Sequence, residues 1–403
     1  MGSIFATCSN IKRKKLTETM IEMSPRYRLR IIAAATMTVA LVGFSITLVF
    51  PYLALKLADQ GYSRLYIGIA TGIGGIANIL VAPLVPALAK RFGVQTVIVG
   101  ALLIASLCLM LFDPFPYPAI DLTLRFLTGA AIGALFIMGE FWINSAAPDQ
   151  HRGLILGIYG SFLAAGFAAG PAILDLVGTS NPTALHIGAG VFIAALLPVV
   201  LMTKGAPDLE GGTGANVMSF LVSAPIATIA GLLFGMIEPS GLNLLPVYGL
   251  GIGLPLSEAT ALVSAMALGN MLQIPLGILA DRIDRRVMLL ICGLMGGILT
   301  LCLPALSASP WALLIGIFFW SGLASGFYTV GLTLLGARFR GADLAHANAT
   351  FVILYSVGLL IGPPIVGAAM DALPPHGFFW SLSVIFIGYA VLVGSRLALG
   401  RSG

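Results

Sequence analysis

The sequence predicts an all-α, polytopic membrane protein: twelve transmembrane helices in two pseudo-symmetric six-helix halves. Three observations carry that expectation. Of 403 residues, 58% are hydrophobic and only 9% charged, whereas a soluble domain carries about 25% charged residues. Mean hydropathy is +1.02, and apolar runs long enough to cross a bilayer, about 20 residues each, recur from end to end. The third observation is an internal repeat. Gly129 and Gly133 recur as Gly322 and Gly326 at an offset of 193. Gly166-x-x-x-Gly170-Pro171 recurs as Gly358-x-x-x-Gly362-Pro363 at an offset of 192. A nearly constant offset argues against chance coincidence of glycines. It marks two six-span units that face each other across a cavity near mid-membrane.

Residues 1–30 are polar and basic, with Lys12, Arg13, Lys14 and Lys15 followed by Arg26, Arg28 and Arg30. Met1, Met20 and Met23 are alternative starts. The apolar run that follows is too long for a signal-peptide core and reads as a first span. Spans are expected at roughly 31–55, 66–89, 94–112, 118–146, 153–177, 184–203, 219–249, 257–280, 287–305, 311–337, 345–371 and 377–399. The stretch Lys204 to Met218 is polar and holds Gly205, Gly211, Gly212 and Gly214, which is linker composition. It divides an N-terminal half, 31–203, from a C-terminal half, 219–403. The third, sixth, ninth and twelfth spans are almost wholly apolar, as lipid-facing helices should be.

Charge sets the orientation. Under this assignment 18 of the 21 Lys and Arg residues fall on the side of the two termini. Lys56 and Arg64 fall on the opposite side, and Arg125 lies inside a span. Basic loops stay in the cytoplasm, so both termini are expected there. The net charge of +5 is therefore a membrane-topology signal; no basic tract is interleaved with aromatics, and no nucleic-acid partner is expected. The four cysteines have no metal spacing, and no cofactor or metal is expected. There is no nucleophile–base set or phosphate loop, so an enzyme is not expected either. Gly72-Ile-Gly74-Gly75-Ile-Ala77 mimics a dinucleotide fingerprint, but inside an apolar helix it reads as a close-packing face.

The most informative loop is Gly277-Ile-Leu-Ala-Asp281-Arg282-Ile-Asp284-Arg285-Arg286. Five charges between two long apolar runs must turn at a membrane surface. Asp281 is placed to accept hydrogen bonds from a helix N-terminus across the loop, and Gly277 to admit a neighbouring backbone. Pro86-Ala-Leu-Ala-Lys90-Arg91-Phe-Gly93 is a degraded copy in the first half, with Lys90 in place of the acid. Only the second copy can latch in this way.

The loop resembles the Gly-x-x-x-Asp-Arg-x-Gly-Arg-Arg signature of the major facilitator superfamily, with Asp284 where that family has Gly. Arg125-Phe-Leu-Thr128-Gly129 is similar to the superfamily's fourth-helix Arg-x-x-Gln-Gly, with Thr128 replacing Gln. Gly157, Gly166, Gly170 and Pro171 resemble its antiporter pattern without the closing Gly-Gly. Glu140-Phe-Trp142-Ile-Asn144, with His151-Arg-Gly153 and the repeated Gly-Pro motif, looks like a bacterial branch of small permeases. The resemblance implies a secondary transporter in a bacterial cytoplasmic membrane, working as a monomer, with Arg125 facing the cavity in proton coupling.

Ionisable residues inside spans are costly and so mark function. Arg125 could alternatively pair with Asp121 one turn away and snorkel outward. Glu140 lies 15 positions along the same helix, about 22 Å from Arg125, and could contact substrate or carry a proton. Its alternative is a gate salt bridge to Arg91 or Arg152. Glu238 sits in Gly235-Met-Ile-Glu238-Pro239-Ser-Gly241, where Pro239 is expected to break the helix at mid-depth. With no basic residue in its own span, it is the leading candidate for a protonatable cavity group. Asn78, Trp142, Asn144, Asn270, Gln273, Tyr328, Asn348 and Tyr355 complete the cavity set, some of them as interhelical glue. Few charges and several aromatics suit a small, largely neutral or amphiphilic organic solute. Uptake of an aromatic vitamin such as riboflavin is one expectation and drug or metabolite efflux against protons is the other. A non-transporting sensor or scaffold is the reading from a different class.

Overall fold

The computed structural model describes residues 25–115, 117–146, 152–202, 224–280, 282–339 and 341–399. The expected linker Lys204–Met218 and the N-terminal basic segment up to 24 lie outside them. Among the described residues are twelve helices long and apolar enough to cross a membrane. They match the twelve expected spans, and no strand occurs among the described residues. In hydrocarbon every backbone N–H and C=O must be satisfied within the segment, which leaves the helix as the solution for such runs.

The spans in order are Pro25–Asp59, Arg64–Val81, Val94–Leu111, Pro118–Ala146, Arg152–Val177 and Thr183–Met202 in the first half. Those of the second half are Pro225–Gly251, Leu256–Ala280, Arg285–Leu306, Pro310–Arg338, Gly341–Ala372 and Gly377–Ala398. A short helix, Val85–Phe92, follows the second span. Helix starts obey local chemistry. Proline opens the fourth, seventh and tenth spans at the position where its missing N–H costs nothing. Ser63 caps the second span by accepting from Tyr66 N at 3.2 Å. Two sequence details are corrected. The seventh span runs unbroken through Pro239. The interruption falls instead in the eighth, where Asn270–Leu272 tightens into a 3-10 turn.

The repeat is realised in the packing. Gly166 and Gly170 let the fifth span lie on the backbone of the first at Ala40, Phe44 and Leu48. At the equivalent place Gly358 and Gly362 seat the eleventh span on Leu232, Gly235 and Met236 of the seventh. Pro171 and Pro363 follow these glycines inside continuous helices. Gly129 and Gly133 pack the fourth span on Gly74 and Asn78 of the second; Gly322 and Gly326 pack the tenth on Leu272, Leu276 and Cys292.

The first, seventh and tenth spans are the most buried of the twelve. The third, sixth, ninth and twelfth spans expose apolar faces, among them Leu103, Leu107, Leu197, Met295, Ile298, Val384 and Val391. That exposure fits contact with lipid chains. An even number of spans brings both chain ends to one face of the bundle, termed here the terminal face; the opposite one is the far face.

The two halves meet along two seams. In one, Gly68, Gly72 and Gly75 of the second span abut the backbone of Ser356, Leu360 and Pro363 on the eleventh. Gly367 abuts Arg64 further toward the far face. In the other, Ser264 Oγ of the eighth span donates to Ala168 O of the fifth at 3.2 Å. The Gly72-x-Gly74-Gly75 run is thus a packing face: Gly74 serves the fourth span and the other two serve the eleventh.

Candidate functional site

Glu238 occupies the midpoint of the seventh span, Pro225–Gly251. It has the partner that the sequence did not provide in its own helix. Tyr355 Oη, on the eleventh span, donates to Glu238 Oε2 at 2.7 Å. Gly235 makes this possible, because its missing side chain lets the Tyr355 backbone lie directly on the seventh span one turn before Glu238. Around the pair stand aromatic rings: Phe234 lies 5.4 Å from Tyr328 and 5.9 Å from Tyr355, and Tyr328 lies 5.4 Å from Phe351. Helix continuity through Pro239 is supported by side chains. Ser240 Oγ donates to Met236 O at 2.6 Å, and Asn243 Nδ2 to Pro239 O at 2.9 Å.

Glu140 approaches from the other half. It lies on the fourth span six residues from the terminal-face end of Pro118–Ala146, about 9 Å along the helix. Its side chain is exposed. The Glu140 charge acts on Tyr159 of the fifth span and on Tyr328 of the tenth. Tyr328 also feels Glu238. One phenol of the C-terminal half therefore lies within electrostatic reach of a carboxylate from each half. Tyr159 is 7% exposed, and its hydroxyl has no hydrogen-bond partner among the described residues. Trp142 is 1% exposed, with an equally unpartnered Nε1, and lines the same small void as Tyr159 and Gly139. Arg91, one expected partner of Glu140, stacks over Phe92 with its guanidinium carbon 5.1 Å from the ring. The Arg152, Asn144 and Asn348 side chains lie outside the described residues.

Arg125 and Asp121 form a separate centre. Arg125 Nε donates to Asp121 Oδ2 at 2.8 Å, and Arg125 is only 6% exposed. The side chain does not snorkel; it is buried, with Nη2 unpartnered among the described residues. Tyr66 feels both charges. This pair sits toward the far face, away from Glu140 and Glu238. Asn270 and Gln273 bind the eighth span to the tenth across the 3-10 turn. Ser321 Oγ donates to Asn270 Oδ1 at 2.6 Å and Thr329 Oγ1 to Gln273 Oε1 at 3.1 Å.

Asp281 lies outside the described residues, so the latch expected of it is not described. Asp284 caps the ninth span, accepting from Arg286 N at 2.8 Å. Burial works against its charge, but the hydrogen bonds and charge of Arg286 hold its carboxyl below the usual range. That accounts for the acid where the signature has Gly. Arg286 Nη2 also reaches Asp284 Oδ2 at 3.3 Å, Arg282 is exposed, and Arg285 opens the helix. Among the described residues no backbone approaches Gly277; its nearest neighbour there is the Thr329 methyl, at ordinary contact distance.

Sequence reasoning passed over Tyr159, Phe234, Phe351 and Asp371. Tyr159 carried a usable signal, a lone phenol in an apolar run beside Gly160. Asp371 did not, since an acid at a span's end is ordinary. Its role depends on which helix arrives opposite: Asp371 Oδ1 accepts from Arg64 N at 3.0 Å and Oδ2 from Leu65 N at 2.8 Å. The far-face seam is closed by this contact between halves.

Comparison with known proteins agrees with this architecture. The family model for the Major Facilitator Superfamily matches residues 35–273 and 270–399. The MFS-type transporter YfkF of Bacillus subtilis is 27% identical over 367 residues, spanning 88% of this chain and 93% of that protein. The multi-drug resistance efflux pump PmrA of Streptococcus pneumoniae is 25% identical over 378 residues, spanning 85% and 90%. Among solved structures, the nucleoside transporter NupG superposes with a TM-score of 0.76 at 14% identity, covering 94% of this chain and 100% of NupG. A D-xylose–proton symporter gives 0.71 at 16% identity, covering 91% and 97%. With both halves matched by the family model and the twelve-span fold in place, the chain belongs to the major facilitator superfamily of membrane transporters.

Proposed function

We propose that this chain is a proton-coupled secondary transporter of a small amphiphilic organic solute, with Glu238 as the principal proton carrier. The observation that carries the reading is the Tyr355–Glu238 hydrogen bond of 2.7 Å at mid-length of the seventh span. A carboxylate at that depth is costly when charged and becomes inexpensive when protonated. Tyr355 sits on the eleventh span, which also forms the seam with the second, so the pair lies on an element that must move when the seam opens. Proton occupancy is thereby linked to the switch between the two states.

The terminal face is the cytoplasmic one in this reading, because it carries 18 of 21 basic residues. The seam closed at the far face then corresponds to an inward-facing state in a bacterial inner membrane. Each chain carries both halves of the cavity, which supports a working monomer. Likeness to a D-xylose–proton symporter fits proton coupling. Likeness to the efflux pump PmrA favours the second direction weighed from the sequence, export in exchange for protons. The names of the relatives give no support to an aromatic vitamin.

The test is reconstitution into vesicles carrying a pH-sensitive dye, challenged with a panel of organic solutes. A solute gradient should move protons in the wild type. Solute flux without proton movement would overturn the coupling. Failure of every solute to exceed protein-free vesicles would return the chain to the sensor or scaffold reading.

A further inference from the structure

Three polar side chains of the first half surround one void. Thr38 comes from the first span, Trp142 from the fourth and Tyr159 from the fifth. Thr38 is 8% exposed, Trp142 1% and Tyr159 7%, yet Thr38 Oγ1, Trp142 Nε1 and Tyr159 Oη have no hydrogen-bond partner among the described residues. We infer that the three form a binding site for one uncharged oxygen, supplied by a water molecule or by a hydroxyl on a solute.

Each group is unpaired against its local alternatives. Buried hydroxyls in the spans commonly turn back on their own helix: Thr47 Oγ1 donates to Gly43 O at 3.1 Å and Thr228 Oγ1 to Ala224 O at 2.9 Å. Thr38 Oγ1 makes no such bond and lines the void instead. Tyr159 is admitted by Gly139, where a side chain would stand 3.3 Å from the phenol oxygen. Three unpaired polar groups at one buried place are costly. Such groups are ordinarily satisfied by protein or by an internal water.

The chemistry of the three selects the occupant. An indole N–H can only donate, whereas the two hydroxyls can donate or accept. The occupant must therefore carry a lone pair, which an ammonium group lacks. A carboxylate or phosphate has lone pairs but brings a charge. No Lys or Arg lines the void, whose walls include Val39, Val42, Leu135 and Phe136, so that charge would be buried without compensation. An uncharged oxygen meets every condition. It accepts from Trp142 Nε1 and exchanges one hydrogen bond with each hydroxyl, and the void has room for about one water molecule. The first span already packs on the fourth and the fifth. The oxygen joins all three at a single point, making a polar tie within an otherwise apolar bundle.

The test uses the full-length protein in nanodiscs with its tryptophans labelled with nitrogen-15. The Trp142 indole signal is identified by its loss in Trp142→Phe. In the wild type a nuclear Overhauser cross-peak should join the Trp142 indole proton to water. The nearly isosteric double variant Thr38→Val/Tyr159→Phe should lose that cross-peak and shift the indole signal. The signal of Trp320, buried in the other half, should stay in place, which separates a lost site from a lost fold. Added benzyl alcohol distinguishes the two sources. A cross-peak that stays with water assigns the oxygen to solvent, and one that moves to the alcohol assigns it to a solute hydroxyl. A wild-type indole proton with no cross-peak to water or alcohol would overturn the inference. So would a cross-peak unchanged in the double variant.

Discussion

Asp371 of the eleventh span caps the N-terminus of the second span, across the boundary between the halves. Its two oxygens accept from Arg64 N at 3.0 Å and Leu65 N at 2.8 Å, and Arg64 Nη1 stands 3.6 Å from Oδ1. The next two helix-start donors are satisfied within the first half, Tyr66 N by Ser63 Oγ and Ile67 N by Ser63 O. Three of the N–H groups that this helix start leaves open, those of Arg64, Leu65 and Tyr66, are therefore paired, two of them by the other half, and Ile67 N makes the first i→i−4 bond. When the far-face seam opens, Arg64 and Leu65 must find water instead. Asp371→Asn removes the negative charge from the positive end of the helix dipole and one good acceptor. It should lower the preference for the far-closed state by about 1–2 kcal/mol. Spin labels at Gln60 and Leu373, both exposed at the far face, should then report a larger long-distance population. An unchanged distance distribution would show that Asp371 caps without latching.

The glycine seam makes a steric prediction. A side chain at Gly72 would meet the Leu360 carbonyl, whereas one at Gly100 on the third span meets nothing within 4 Å. Gly72→Val should hold the far face open and reduce transport severely. Gly100→Val should leave it nearly unchanged. Comparable expression with comparable activity in both variants would contradict the seam.

Much of this architecture was legible in the sequence, because hydrophobic length and a constant repeat offset are properties of the chain itself. The twelve spans, the packing role of Gly166, Gly170, Gly358 and Gly362, and the Arg125–Asp121 pair all follow from spacing along one helix or from the duplication. What could not be read is contact between helices distant in sequence. Tyr355 meets Glu238 across 117 positions and Asp371 meets Arg64 across 307. Pro239 illustrates a different failure. Its local rule predicts a break, but Ser240, Asn243 and the closely packed eleventh span keep the helix continuous. In the eighth span Pro275, four residues after Met271, removes an i→i−4 bond where the 3-10 turn falls, and the Asn270–Ser321 and Gln273–Thr329 bonds tie the turn to the tenth.

Orientation can be checked without a substrate. The proposed orientation, with the terminal face in the cytoplasm, rests on the distribution of basic residues. A periplasm-active reporter fused at Gly212 should be silent, and one fused between Asp371 and His376 should be active. The reverse pattern would turn the molecule over and make the closed seam a cytoplasmic one.

The last prediction concerns Glu238. Its carboxylate is held by Tyr355 at 2.7 Å, midway along a helix with no basic residue of its own. Moving such a charge through a closed cavity costs several kcal/mol, roughly 2.5–3.5 on insertion scales for acids at bilayer depth. Protonation removes that cost, so the protonated form favours closure and the charged form favours access to water. Glu238→Gln fixes the uncharged form. It retains a carbonyl that can accept from Tyr355, so the helix contact should persist and the protein should reach the membrane. Accumulation of solute against its gradient should be lost, while exchange of labelled solute across vesicles with no pH gradient should persist. Glu238→Asp, with the acid on a shorter stem, should accumulate partially. Tyr355→Phe leaves the acid without its donor and should impair accumulation more than exchange. If Glu238→Gln accumulates solute at the wild-type rate with an unchanged pH profile, Glu238 is structural. The proton would then travel by Glu140 or by the Asp121–Arg125 pair. Applying the same accumulation-against-exchange comparison to Glu140→Gln and Asp121→Asn would identify which.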